Sequence, residues 1–228
     1  MTTASAAGEV HPGVQTVTRG AQCTANFIFR DASATYVGQA AHCSGTGAAT
    51  DTNGCTSRSL PIGTAVTVKG ATRPGKLVYN SWIAMQGKGE NDPDTCAYND
   101  LALVQLDPAD MSRVDPSVPG FGGPTGVAEA PTNAGATVYT YGNSSLRGGV
   151  TKLSPKQGAV VHFMDASGNA IGVLSTVQIA PLAGSNGVGD LAREIAYMQA
   201  NSAFTTTTTV VPGAKAFNPD LLSAIAGA

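Results

Sequence analysis

Ala40-Ala41-His42-Cys43 places an imidazole beside a cysteine, directly after the strand-like run Thr35 to Ala40. Further along, Asn99-Asp100-Leu101-Ala102-Leu103 sets a carboxylate at the head of an apolar strand. Alone, a histidine in a cysteine-containing turn is ordinarily structural, and an aspartate ahead of a strand is ordinarily a turn or cap residue. Together they suggest a chemical pair. A desolvated carboxylate hydrogen-bonded to one ring nitrogen fixes the tautomer, so that the other nitrogen can accept a proton. His42 is the candidate base and Asp100 its orienter.

Composition narrows the rest. Charged residues make up only 12% of the 228, and the formal net charge is -2, with Lys and Arg scattered. Neither a nucleic-acid footprint nor a polybasic membrane patch is present. A single tryptophan, Trp82, argues against a base-stacking surface. No apolar run approaches the roughly 18 residues of a membrane span. Cysteines stand at 23, 43, 55 and 96, with no C-x-x-C pair and only 3 histidines in the chain, a poor match to zinc spacing. Two disulfides in an exported protein is the expectation, with three connectivities possible in principle. Met1 to Gly8 shows neither a basic n-region nor an apolar h-region, so the expectation of a secreted protein rests on the cysteines.

Abundant glycine, with short Val/Ile/Thr-rich runs between turn signals, predicts an all-β chain. The runs are Asn26 to Phe29, Thr35 to Ala40, Ala65 to Lys69, Lys76 to Tyr79 and Leu101 to Leu106, then Ala136 to Tyr141, Val150 to Leu153, Ala159 to Met164, Ala170 to Val177 and Phe204 to Val211. Asp165 to Asn169 reads as a turn joining two of these into a hairpin. In the threonine run 205–209, β-branching favours a strand. Helical spacing of Leu191, Ile195 and Met198 behind Asp190 predicts a capped helix over Leu191 to Gln199, and Asn218-Pro219-Asp220 predicts a short terminal one. Prolines 108, 116, 119, 124 and 131 with several glycines mark a linker. The expected organisation is a first barrel over 12–107 carrying His42 and Asp100, a linker over 108–135, and a second unit over 136–228.

On these motifs the chain resembles the trypsin-like (chymotrypsin-fold) serine proteases of the secreted actinobacterial type. Ala40-Ala41-His42-Cys43 is similar to that family's histidine motif, and Asn99-Asp100-Leu101-Ala102-Leu103 to its aspartate motif. Gly172-Val173-Leu174-Ser175-Thr176 resembles the strand after the nucleophile, and Leu191 to Gln199 the late helix; the likeness spans roughly residues 12 to 215. It implies two antiparallel six-stranded-type Greek-key barrels, a Cys23–Cys43 bridge and, by remainder, Cys55–Cys96. It also implies peptide-bond hydrolysis by Ser/His/Asp acyl transfer, a peptide or protein substrate and no cofactor.

One part of the pattern is missing. The family's nucleophile sits in a Gly-Asp-Ser-Gly turn whose N–H groups build the oxyanion hole, and that string does not occur in the chain. Aligned backwards from Phe163 to Gly168, the place is taken by Gln157 to Val161, with Ala159 opposite the nucleophile. By family analogy a segment of roughly 25 to 30 residues is absent, through deletion or gene-model error, and the second barrel is expected to be incomplete. Ser167, in Asp165-Ala166-Ser167-Gly168, mimics the motif, but a hairpin tip would lie at the far end of two strands. Ser144, Ser145, Ser154 and Ser185 read as structural, and His11 and His162 have no evident partners. The chain is therefore expected to be a serine endopeptidase homologue without triad turnover; a non-catalytic homologue binding a peptide or protein partner is the alternative. Unpaired strand edges would invite association.

Overall fold

The computed structural model describes residues 8–48, 51–130, 133, 135–143, 145, 154–164, 170–174 and 187–218, with the backbone alone for 161–164, 170–174 and 187–188. Its first half is built from β1 (Gln15–Thr18), β2 (Ala21–Thr24), β3 (Ile28–Arg30), β4 (Thr35–Ala40), β5 (Ala65–Val68), β6 (Gly75–Asn80) and β7 (Leu101–Gln105). The strands pair antiparallel in the order β3-β4-β7-β6-β5-β1-β2. The sheet closes because β2 runs into β3. Ala25 N–H still bonds Val14 O at 2.8 Å on the β1 side, whereas Asn26 N–H bonds Gly38 O at 2.9 Å on the β4 side. A bent strand thus belongs to both ends of the ladder, and no edge is left between them. The expected runs from Asn26 to Leu106 are present as strands. Polar β1 and β2 carried no such signal; their hairpin turns through Arg19 and Gly20, both at positive φ (49° and 93°), as a tight two-residue connection requires.

Strand β7 explains why Leu101-Ala102-Leu103-Val104 reads as unbroken apolar sequence. Ala102 and Val104 face the barrel interior with Val37, Val66, Leu77 and Trp82. Leu101 and Leu103 face outward into a second cluster with Phe29, Tyr36, Tyr79 and Met198. Both faces are covered, so alternation disappears.

Between β6 and β7 the chain forms α1 (Ser81–Lys88) and α2 (Pro93–Tyr98), neither expected from the strand pattern. Their caps are nonetheless written locally: Asn80 Oδ1 accepts the Trp82 and Ile83 N–H groups, and Asp92 accepts that of Thr95 ahead of Pro93. After β7, Pro108–Arg113 is a 3-10 helix with Asp110 fully buried. Asp110 accepts from Thr72 N–H (2.9 Å), Thr72 Oγ1 (2.8 Å) and Arg73 N–H (3.2 Å). Burial pushes its carboxyl up, but these donors and the Arg113 charge outweigh it and hold it below the usual range. A depressed acid contributes stability present above its ordinary value of 3.8 and lost as pH falls through the lower folded value. Asp110→Asn is expected to cost about 1–2 kcal/mol at neutral pH, with the gap narrowing in acid; urea unfolding at pH 7 and pH 3 checks both.

The second half contains β8 (Thr137–Tyr141) paired with β9 (Pro155–Ala159), and a separate sheet of β10 (Val161–Met164), β11 (Ala170–Leu174) and β12 (Gly187–Gly189). Among the described residues these remain two small sheets, not a closed barrel, in line with an incomplete second barrel. The hairpin partners are as expected, with Val161 opposite Leu174 and Met164 opposite Ala170. Two strand expectations need correction. Ala159 to Met164 is not one strand: Pro155–Ala159 is already ladder with β8, and a new strand starts at Val161. Nor is Phe204 to Val211 a strand, since only Thr209–Val210, here β13, pairs with β3. Thr208 N–H bonds Thr205 O at 3.0 Å and the Thr205 and Thr207 hydroxyls meet at 2.7 Å, so side-chain bonding favours a turn over β-propensity. The helix α3 (Leu191–Asn201) is present with Asp190 as its cap. Val150 to Leu153, Asp165 to Asn169, Ser175 to Val177 and the terminal helix beyond Asn218 lie outside the described residues.

Candidate functional site

The β4–β7 register, Ala40 opposite Leu101, carries the two strand ends into contact one residue further on. There Ala41 N–H bonds Asp100 O at 2.8 Å. The chain then turns through a 3-10 helix, Ala41–Ser44, that projects His42 outward while Ala41, Cys43 and Ser44 stay buried. The Cys23–Cys43 disulfide pins this turn to β2, and Cys55–Cys96 ties α2 to the loop ahead of β5. Both bridges are those that the resemblance implied.

Asp100 uses both side-chain oxygens on one partner. Oδ1 accepts the His42 main-chain N–H at 2.8 Å, and Oδ2 lies 2.7 Å from His42 Nδ1. This bidentate arrangement fixes the imidazole in both position and orientation. It assigns the proton to Nδ1 and leaves the Nε2 lone pair as the acceptor. The Asp100 hydrogen bond raises the His42 pKa, burial opposes it, and the Asp100 charge adds to the rise. Stability from this pair is complete below the ordinary histidine value of 6.5 and is lost as pH rises through the higher folded value. The ring is 54% exposed, so a reacting group can reach it.

Buried polar groups hold the pair from behind. Asn80, 1% exposed, donates Nδ2–H to Ala41 O at 3.0 Å while its other side-chain atom caps α1. Ser81 Oγ donates to Asn99 O at 2.7 Å. Asp100 N–H donates to Glu194 Oε1 of α3 at 3.0 Å. Sequence reading missed all three. Asn80-Ser81 carries a capping signal, and Glu194 falls beside Leu191, Ile195 and Met198 on the apolar stripe of α3, where a carboxylate is out of place.

Cys23, His42 and Cys43 lie close enough for their ligand atoms to fall within 4.8 Å of one another. Both sulfurs are joined in the disulfide, so the group offers a cation one imidazole and no thiolate.

The nucleophile candidates are distributed otherwise. Ala159, the residue aligned with the nucleophile, sits exposed at the end of β9 opposite Thr137. Ser145 donates its N–H to Gln22 Oε1 at 2.7 Å, and buried Ser154 accepts the Gly142 N–H through its carbonyl. Ser144, Ser167, Ser175 and Ser185 lie outside the described residues, and of His162 only the backbone, on β10, is described. His11 Nδ1 lies 2.7 Å from the adjacent Pro12 carbonyl.

No family model matches the chain, and no curated protein matches it either. Among solved structures it is similar to protease A of Thermobifida fusca, at 16% identity over 90% of this chain and 99% of that one, with a TM-score of 0.51. A glutamic acid-specific serine protease is 15% identical over 89% of this chain and 100% of its own, with a TM-score of 0.46. A Glu endopeptidase is 14% identical over 88% and 95%, with a TM-score of 0.43. The chain has the trypsin-like serine protease fold.

Proposed function

We propose that the chain is a trypsin-like serine endopeptidase homologue in which His42 is the base and Asp100 its orienter, and that it does not turn over peptides through a triad. The bidentate Asp100–His42 contact at 2.8 and 2.7 Å carries this reading. In such a reaction the imidazole Nε2 takes the proton of a serine hydroxyl as it attacks the peptide carbonyl. It then returns that proton to the leaving amine, while the carboxylate stays ionised and stabilises the imidazolium. The first half, 12–107, would supply base and orienter, while the unit over 136–228 is shortened where the nucleophile turn and cleft wall would stand. The chain has no Gly-Asp-Ser-Gly turn, so both the nucleophile and its oxyanion donors are wanting; residual catalysis after loss of a nucleophile needs the oxyanion hole.

The substrate class supported is a peptide or protein segment. Two disulfides fit an oxidising, extracellular compartment. Among the described residues no helix is long and apolar enough to cross a membrane.

A fluorophosphonate probe tests the reading. No stoichiometric labelling is expected from the folded chain. Labelling that His42→Ala abolishes would overturn the claim of no turnover and identify the nucleophile.

A further inference from the structure

Glu194 is a carboxyl that the base–orienter pair does not by itself account for. Leu191, Ile195 and Met198 pack α3 onto the outward face of β7. Glu194, half-buried on the same stretch, reaches past them to the Asp100 main chain. A Cβ at Gly189, just before the helix cap, would collide with Glu194 Oε1 and lie 2.9 Å from Tyr98 O. Asp190 fixes the start of the helix by accepting the Ala192 and Arg193 N–H groups at 3.0 and 3.3 Å.

We propose that Glu194 is a positioning residue for the His42–Asp100 pair, holding the Asp100 main chain so that both carboxylate oxygens stay aligned on His42. This rests on reading those two residues as base and orienter. Asp100 precedes the first ladder residue of β7, so strand pairing does not fix its N–H side. Its carbonyl is fixed by Ala41 and its side chain by His42. Glu194 supplies the remaining anchor. Rotation of the Asp100 backbone, which would swing Oδ1 and Oδ2 away from His42, is then opposed from α3.

The electrostatics of the site give the role a signature that a simple packing contact lacks. Burial drives the Glu194 carboxyl up to about 8; the Asp100 N–H opposes this, and the charges of Asp100 and Asp190 reinforce it. Tyr79 of β6, packed in the same cluster, is itself raised by burial and by the Glu194 and Tyr197 charges. Glu194 lines a cleft of about 340 Å³ with Asp92, Asp94 and Tyr98 of α2 and with Asp190, Arg193 and Tyr197. A carboxyl raised in this way carries less charge near neutral pH than an ordinary glutamate, so it accepts the Asp100 N–H while placing less negative charge beside the proposed orienter. Its stabilising contribution is complete below its ordinary 4.5 and is lost as pH rises through about 8.

The test follows the His42 ring by NMR in the full chain labelled at histidine nitrogen, across pH 5 to 10, and needs no turnover. In the unmodified chain the His42 signals are expected to show their own inflection and a second one at about pH 8. Glu194→Gln keeps an acceptor for Asp100 N–H; it should retain the first inflection and lose the second. Glu194→Ala and Gly189→Ala should each shift the His42 midpoint downward, because Asp100 is no longer held in line. A second inflection that persists in E194Q overturns the proposal, as does an unshifted midpoint in folded E194A or G189A. If E194A does not fold, E194Q and G189A decide by the same criteria. Asp100→Asn separates the two levels: a His42 midpoint that ignores it refutes the base–orienter pair itself, whatever Glu194 does.

Discussion

Replacing Cys55 and Cys96 together by alanine is expected to destabilise the chain by about 4 kcal/mol, through loss of the loop-closure constraint on the unfolded state. The bridge spans 41 positions, against 20 for Cys23–Cys43. The same dependence on loop length gives the shorter bridge about 3 kcal/mol. Set against a typical total of 5–15 kcal/mol, either loss is large, and for a chain of this size the longer bridge corresponds to roughly 10 °C in Tm. The two losses should differ in kind as well as size. Cys96 lies on α2, which leads into Asn99 and Asp100, so its release should loosen Asp100. Cys43 lies in the turn that presents His42, so its release should loosen His42. Thermal unfolding of the two double variants measures the first difference, and the His42 NMR titration the second. A change below about 1 kcal/mol in the C55A/C96A variant would contradict the loop-closure account.

Leu103→Ala should cost about 3–4 kcal/mol, the range for a fully buried leucine whose site cannot collapse. Leu103 has no exposed surface and packs in the cluster of Tyr79, Phe29 and Met198 on the outer face of β7. Its neighbours are held by ladder bonds to β4 and β6 on either side, so the backbone cannot move in to fill the space. The cavity would open under α3, the helix that carries Glu194. Leu103→Ala should therefore weaken the His42–Asp100 pair as well as the fold, whereas Val66→Ala, on the inner face, should destabilise without moving the His42 midpoint. Urea unfolding gives the first quantity; a loss under about 1.5 kcal/mol would show that the outer cluster relaxes.

How much of this was legible follows from where each signal resides. Strands β3 to β7 were readable because their burial is coded in short apolar runs. β1 and β2 were not, since Gln15-Thr16-Val17-Thr18 and Ala21-Gln22-Cys23-Thr24 become strands through the turn at Arg19-Gly20 and pairing with β5. The threonine run 205–209 misled for the opposite reason. Its β-branching is local, but among the described residues no partner strand lies opposite Thr205 to Thr208; the Thr205 and Thr207 hydroxyls bond within a turn, and the Thr208 hydroxyl bonds Asp31.

The same division runs through the site. His42, Asp100 and the four cysteines were legible in the sequence, because the proposed base and orienter stand in recognisable local strings, while the pairing of the cysteines came from the family resemblance. The anchors were decided by tertiary structure alone. Asn80 reaches Ala41 over 39 positions and Asp100 reaches Glu194 over 94, contacts with no local pattern. A hydrogen bond between distant segments depends on how barrel and helix pack, and it is packing that brings the half-buried Glu194 carboxyl onto the Asp100 main chain.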